Sequence, residues 1–98
     1  MTVYFITRHP GARAWAAEEG LQVDQALEHL NLDLIAPGDL VIGTLPVNLI
    51  AQVCERGGHY LHLSLELPRE QRGQELSAAE LRRYGARLEE YRVERVSR

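Results

Sequence analysis

Two apolar runs of this 98-residue chain each end in a short turn followed by a proline, and these two junctions constrain the fold most. In the first, residues 3–6 (VYFI) lead into Thr7-Arg8-His9-Pro10. In the second, residues 40–42 (LVI) lead into Gly43-Thr44-Leu45-Pro46. Continuous apolar runs are typical of strands covered on both faces, and proline favours the first position of a helix. Each junction therefore predicts a strand that runs into a helix.

Turn signals divide the rest of the chain into further elements. We predict strands at 2–8, 21–23, 40–44, 59–67 and 91–96, and helices at 10–19, 24–31, 46–56 and from 77 onward. The last helix begins with a capping box, Ser77 to Glu80. The sequence does not determine its last residue, because apolar and aromatic residues continue at helical spacing: Leu81, Tyr84, Leu88 and Tyr91. Alternating strands and helices predict a single α/β domain over residues 1–98, with a compact Rossmann-like three-layer fold and a mainly parallel sheet.

Composition narrows the classes of partner. The net charge of −3 argues against a protein that coats long DNA or RNA, and all eleven basic side chains are arginine. A charged contact to phosphate would therefore be the bidentate contact of a guanidinium group. With a single cysteine, Cys54, the chain forms no intrachain disulfide or thiolate cluster. No signal peptide and no membrane span is expected, so we predict a cytoplasmic protein. We also expect it to have no cofactor.

The two junctions supply the candidate site residues, since ligands of parallel α/β sheets bind outside the carboxyl ends of the strands. Arg8 is expected to bind phosphate, the alternative being a contact with an acidic neighbour. His9 is a candidate general acid or base, unless it only caps the helix or stacks on a base. The predicted ligand-binding residues are Thr7, Arg8, His9, Pro10, Gly43, Thr44, Leu45 and Asn48, and the candidate catalytic residues are Arg8, His9 and Asn48.

Other readings remain open for several of these positions. Thr7 and Thr44 are both placed to cap a following helix, which would account for them without a ligand. Asn48 is polar among apolar neighbours and could reach a phosphate or a ribose hydroxyl, while Gly43 would allow a ligand close to the backbone. His62 and Ser64 share one strand face, where a half-buried, hydrogen-bonded histidine is the simpler interpretation. No set of side chains has the spacing of a metal site.

The blocks YFITRHPGA, PGDLVIGTLPVNL, YLHLSLELP and RGQELS give the chain a family resemblance over nearly its whole length. It resembles the small CRISPR-associated Csx proteins numbered sixteen in their series, which accompany type III systems. The resemblance implies a compact relative of the CARF domains, which sense cyclic oligoadenylate second messengers. It further implies a ring nuclease that linearises cyclic tetra-adenylate and so ends the antiviral response. Arg8, His9 and Asn48 are the residues to which this role would fall.

The implied reaction suits the chemistry of the two junctions. A ribose 2′-hydroxyl attacks the adjacent phosphorus, so that positioning and charge stabilisation suffice without a metal ion. A homodimer would match the internal symmetry of a ring with four phosphates. Two alternatives stay open: a module that binds the messenger without cutting it, and an accessory protein that contacts another CRISPR protein through the stripe of Leu81, Tyr84, Leu88 and Tyr91.

Overall fold

The computed structural model describes residues 1–98 and has three helices on a five-stranded sheet. No helix exceeds nine residues, and none could cross a membrane. The strands are β1 (Val3–Ile6), β2 (Gln25–Leu27), β3 (Leu40–Gly43), β4 (His59–Ser64) and β5 (Arg87–Tyr91), and the helices are α1 (Pro10–Glu18), α2 (Val47–Glu55) and α3 (Ala78–Arg83). The predicted Rossmann-like three-layer α/β fold is confirmed.

The strand order is β2-β1-β3-β4-β5, in which the first four strands are parallel and β5 is antiparallel to β4. From β1 the chain moves toward one edge of the sheet to form β2, and from β3 it moves toward the opposite edge to form β4. Right-handed crossovers in opposite directions require helices on opposite faces, as α1 and α2 are. The order reverses between β1 and β3, and such a switch point opens a crevice at the carboxyl ends of the strands.

Two apolar cores lie on the two faces of the sheet, because side chains alternate along each strand. On one face, Phe5 and Ile42 pack against α1 and α3, and Trp15 of α1 is buried there. On the other face, Val41 and Tyr60 pack against α2. Burial on both faces explains the continuously apolar sequence of β3, whose position at the centre of the sheet is confirmed.

The first turn of α1 lies against the chain segment that precedes α3. A Cβ atom on Gly11 would stand 1.8 Å from the backbone oxygen of Leu76, so only glycine allows this approach. Further along, Gly20 ends α1 in the left-handed conformation with φ of 75°, as the sequence predicts. The capping box of Ser77 and Glu80 is also confirmed, with both of its hydrogen bonds present. Contact at Gly11 brings residues near position 75 to the end of β1.

Several predicted boundaries are wrong. Residues 21–23 form no strand, and the predicted helix at 24–31 is replaced by the short strand β2, which pairs with β1. The fourth strand ends at Ser64 rather than at 67. The last helix stops at Arg83, and the edge strand occupies Arg87–Tyr91 instead of 91–96. Gly85, with φ of 74°, turns the chain between them, so Leu88 and Tyr91 belong to the strand.

Candidate functional site

The two junctions lie at the same edge of the sheet, as predicted, and they meet at the switch point. Ile6 and Gly43 are register partners at the ends of β1 and β3, so the turns that follow them emerge side by side. The first turn carries Thr7, Arg8 and His9 into α1, and the second leads through Thr44 into α2. The carboxyl edge of the sheet therefore gathers the start of both long helices.

A cleft of about 450 Å³ opens between these turns and the end of β2, and we call it the switch cleft. Its polar lining comes from three consecutive parallel strands rather than from one loop. These polar residues are Thr7, Arg8, His9, Glu28, His29 and Thr44. One guanidinium and two imidazoles against one carboxylate give the cleft a lining suited to an anion.

A second, mainly apolar cavity of about 210 Å³ adjoins the switch cleft on the side of α1 and α3, and we call it the leucine pocket. The two cavities share Ile6, Thr7, His9 and Thr44 in their walls. Apolar side chains surround the rest of it, with Gln74 as a further polar group: Phe5, Leu63, Leu65, Leu67, Leu76 and Leu81. An apolar space beside a cleft whose lining suits an anion has the character of a pocket for a planar base.

His9 is held by a carboxylate that the sequence does not place near it. Its Nδ1 lies 2.9 Å from Oε1 of Glu75, which stands 66 residues further along the chain. A carboxylate at Nδ1 keeps the proton on that nitrogen and leaves Nε2 as the acceptor of the neutral ring. Contact between Gly11 and the backbone of Leu76 brings the carboxylate into reach. His9 is thereby oriented as a candidate base.

Arg8 has no acidic partner. Its side chain is exposed in the switch cleft, and none of the ion pairs of the protein includes it. The alternative reading, an arginine tied to an acidic neighbour, is therefore wrong. Thr7 accepts a hydrogen bond at Oγ1 from the backbone amide of His9, at 3.1 Å, and so stabilises the turn instead of capping the helix through its side chain.

The junction between β3 and α2 is pinned by a buried tyrosine from β4. The hydroxyl of Tyr60 donates to the carbonyl of Gly43 at 2.8 Å and accepts from the amide of Leu45 at 2.9 Å. The amide of Leu45 is therefore already used within the protein. By contrast, the amides of Thr44, Val47 and Asn48 donate to no protein acceptor, which leaves them free for an anion.

His62 completes the hydrogen bonds of Tyr60, since its Nδ1 lies 2.7 Å from the hydroxyl oxygen. That hydroxyl has one proton, which it donates to Gly43, and two lone pairs. All four groups are satisfied when Leu45 and His62 both donate, which puts the imidazole proton on Nδ1. Burial raises the pKa of Tyr60 above its ordinary value of 10.0. The predicted half-buried, hydrogen-bonded histidine is confirmed.

The neighbouring polar side chains of β4 face those of the edge strand. Register pairs are His62 with Glu89 and Ser64 with Arg87. A hydrogen bond from Ser64 and the nearby charge of Arg87 hold the pKa of Glu89 below its usual range. Ser64 thus faces the edge strand, with Arg87 as its register partner.

The remaining predicted site residues have different surroundings. Gly43 lines the leucine pocket, and a Cβ there would stand 3.0 Å from the backbone oxygen of Ile6, so the neighbouring strand packs closely against this residue. Pro10 is the first residue of α1, as predicted, and is exposed. Asn48 is exposed in the first turn of α2 and lines neither cavity. Thr44 does not cap α2, whose cap position is Pro46.

Sequence reasoning missed four residues at this edge. Glu28 and His29 fall within the predicted helix at 24–31, but they follow the strand β2, which carries them to the switch cleft. Gln74 and Glu75 lie in the polar segment between the predicted strand at 59–67 and the helix from 77 onward, for which the sequence predicts no helix or strand. The polar sequence around them has no signal for a site, because their place depends on packing against α1.

Comparison with known proteins gives one family. A family model described as "Putative CRISPR-associated protein (Cas_VVA1548)" matches residues 4–94, which include both junctions and Glu75. No curated protein and no solved structure matches the chain.

Proposed function

The chain belongs to this family of CRISPR-associated proteins, and on that premise we propose that it is a ring nuclease that binds and linearises cyclic tetra-adenylate. The TRHPGA and GTLPVNL blocks, on which the resemblance to type III ring nucleases rests, both fall within the matched residues. They also form the two turns of the switch cleft. Ending a second-messenger signal would be the cellular role of this activity.

One observation carries the proposal. An arginine without a protein partner and a histidine oriented by Glu75 line the same cleft, at the point where this sheet order opens a crevice. Arg8 can neutralise a phosphodiester, and the free amides of Thr44 and Val47 lie at the second turn of the same edge. This combination suits a phosphodiester that must be both held and attacked.

The proposed reaction is attack by a ribose 2′-hydroxyl on the adjacent phosphorus. A bond forms between the 2′-oxygen and phosphorus, the bond from phosphorus to the 5′-oxygen breaks, and the ring opens with a 2′,3′-cyclic phosphate. Nε2 of His9 accepts the proton of the hydroxyl, and Arg8 stabilises the charge on the phosphoryl oxygens. Asn48, in the first turn of α2, lies outside the switch cleft and is proposed to bind a neighbouring phosphate of the ring.

The size of the cleft supports a dimer as the active form. Sites for drug-sized ligands are roughly 300–1,000 Å³, so a cleft of about 450 Å³ accommodates about one nucleotide of a four-nucleotide ring. The adjoining leucine pocket would receive its base. Two copies related by a two-fold axis would hold two nucleotides of the ring in equivalent clefts.

The direct test is a single-turnover reaction with labelled cyclic tetra-adenylate in the presence of a chelator. Linear product is expected from the unmodified protein. Arg8→Ala should weaken ring binding by about 10–100-fold, as the loss of a charged hydrogen bond predicts. The matched control is Arg13→Ala, which removes an exposed arginine of α1 outside the switch cleft.

His9→Ala should slow cleavage about 100-fold or more while leaving affinity within a few-fold. Its control is His59→Ala, because His59 is exposed at the opposite end of β4. Tight binding with intact ring recovered after incubation would replace the nuclease with a messenger-binding module. If the protein neither binds nor cleaves the ring, both the nuclease and the binding module are refuted.

A further inference from the structure

His29 is the one histidine of the protein without a protein partner. The other three are engaged: His9 with Glu75, His59 with Glu90, and His62 with Tyr60. His29 is exposed, takes part in no hydrogen bond or ion pair, and lines the switch cleft. A free imidazole in a cleft with an arginine is unexplained by the fold.

Strand pairing explains how His29 reaches the cleft. The parallel strands β1 and β2 end together, with Ile6 opposite Leu27, and the amide of Thr7 donates to the carbonyl of Leu27 at 2.8 Å. His29 follows Leu27 by two residues, and His9 follows Ile6 by three. The two histidines therefore leave the sheet at the same edge from neighbouring strands.

We propose that His29 is the general acid of the ring-opening reaction, acting with His9 as the general base; this inference rests on the proposed function. Transfer of a phosphoryl group to the 2′-oxygen needs a group that accepts a proton and another that donates one. Glu75 holds the proton of His9 on Nδ1 and thereby assigns the accepting role to Nε2. The donating role then falls to the second imidazole of the cleft.

The proton balance closes with these two residues. The 2′-hydroxyl proton passes to His9 as the 2′-oxygen bonds to phosphorus. The 5′-oxygen leaves phosphorus with the electron pair of the broken bond and takes a proton from the imidazolium of His29. The charged and titratable groups that line the cleft beside His29 are Arg8, His9 and Glu28. Arg8 is left to stabilise the phosphoryl oxygens throughout.

The pH dependence of cleavage separates the two roles. A base that must be neutral and an acid that must be charged give a bell-shaped profile of the single-turnover rate. In His29→Gln, the fall of the rate at high pH should disappear, while the rise at low pH remains. In His9→Gln, the rise at low pH should disappear instead.

The decisive experiment changes the leaving group. In a ring whose 5′-bridging oxygens are replaced by sulfur, the leaving thiolate needs no proton. His29→Gln should cleave the ordinary ring about 100-fold more slowly than the unmodified protein, or slower still, yet cleave the sulfur ring at nearly the unmodified rate. His9→Gln should be slow on both substrates, and His59→Gln should be slow on neither. Ring binding by His29→Gln should stay within a few-fold, which also shows that the variant is folded.

The outcomes separate this inference from the proposed function. An unmodified protein that cleaves neither ring refutes the nuclease and the acid together. If the unmodified protein cleaves the ring and His29→Gln cleaves it just as fast, the protein is a nuclease but His29 is not its general acid. If His29→Gln cleaves both the ordinary ring and the sulfur ring slowly, the general-acid role is also overturned, since the side chain would then serve binding or positioning.

Discussion

Replacing Tyr60 by phenylalanine removes one oxygen and leaves three groups of the β3–α2 junction without their partner. The carbonyl of Gly43 is buried, whereas Leu45 and His62 are half-buried. A buried polar group that loses its partner costs about 1–3 kcal/mol, and water can compensate part of this at the two half-buried positions. We therefore expect Tyr60→Phe to lower the free energy of unfolding by about 2–4 kcal/mol.

Equilibrium unfolding in urea, followed by circular dichroism, measures this loss. Tyr4→Phe is the matched control, because the hydroxyl of Tyr4 makes one long hydrogen bond, 3.3 Å to the carbonyl of Leu34, and should cost less than about 1 kcal/mol. A loss from Tyr60→Phe no larger than that from Tyr4→Phe would refute the reasoning. The hydrogen bonds of the Tyr60 hydroxyl would then only offset the free-energy cost of burying it.

The alkaline limb of stability gives a second readout of the same hydroxyl. Burial raises the pKa of Tyr60 above 10.0, so folding favours the neutral phenol. Its contribution is complete below the unfolded value and is lost as the pH rises through the higher folded value. Lysine does not contribute in this range, because the chain has none. The unmodified protein should lose stability more steeply above pH 10 than Tyr60→Phe does, and parallel curves would contradict the assignment.

Three further predictions concern other contacts. Gly11→Ala should lower the free energy of unfolding by about 1–3 kcal/mol in urea, because its Cβ would overlap the backbone oxygen of Leu76; an unchanged midpoint would contradict this packing. The pKa of Asp39 is lowered by hydrogen bonds from the amides of Ala36 and Thr2, so its carboxylate stabilises the fold above pH 3.8 and loses this effect as the pH falls further. Asp39→Asn should therefore lower Tm at pH 7 and make stability depend less steeply on pH in acid. An unchanged Tm would contradict this role. Nitrogen NMR at alkaline pH should find the neutral ring of His62 protonated at Nδ1, and protonation at Nε2 would contradict the network around Tyr60.

The central strands and long helices follow from local sequence. β1 and β3 are continuously apolar, and α1 begins at Pro10 and ends at a glycine, so their positions need no knowledge of the rest of the chain. The short strand β2 has the opposite character. Its three residues have a weak strand pattern, and they become a strand because β1 offers a parallel edge. Helical spacing past Arg83 was misleading, because Gly85 reverses the chain after one and a half turns.

The candidate site divides in the same way. Arg8 and His9 are visible in the sequence, since they follow a strand and precede a helix. Glu75 and His29 are not, because each reaches the switch cleft through a contact between distant segments: Gly11 against Leu76 for the first, and the pairing of β2 with β1 for the second. Sequence thus predicts the candidate residues of the two junctions, but not the residues that packing between distant segments brings beside them.

Incubation of the unmodified protein with labelled cyclic tetra-adenylate and a chelator, followed by chromatography of the products, tests the central proposal most directly. The account predicts a linear product that ends in a 2′,3′-cyclic phosphate, formed within a single turnover and much more slowly by His9→Ala. Intact ring after prolonged incubation, with or without added divalent metal, would contradict it.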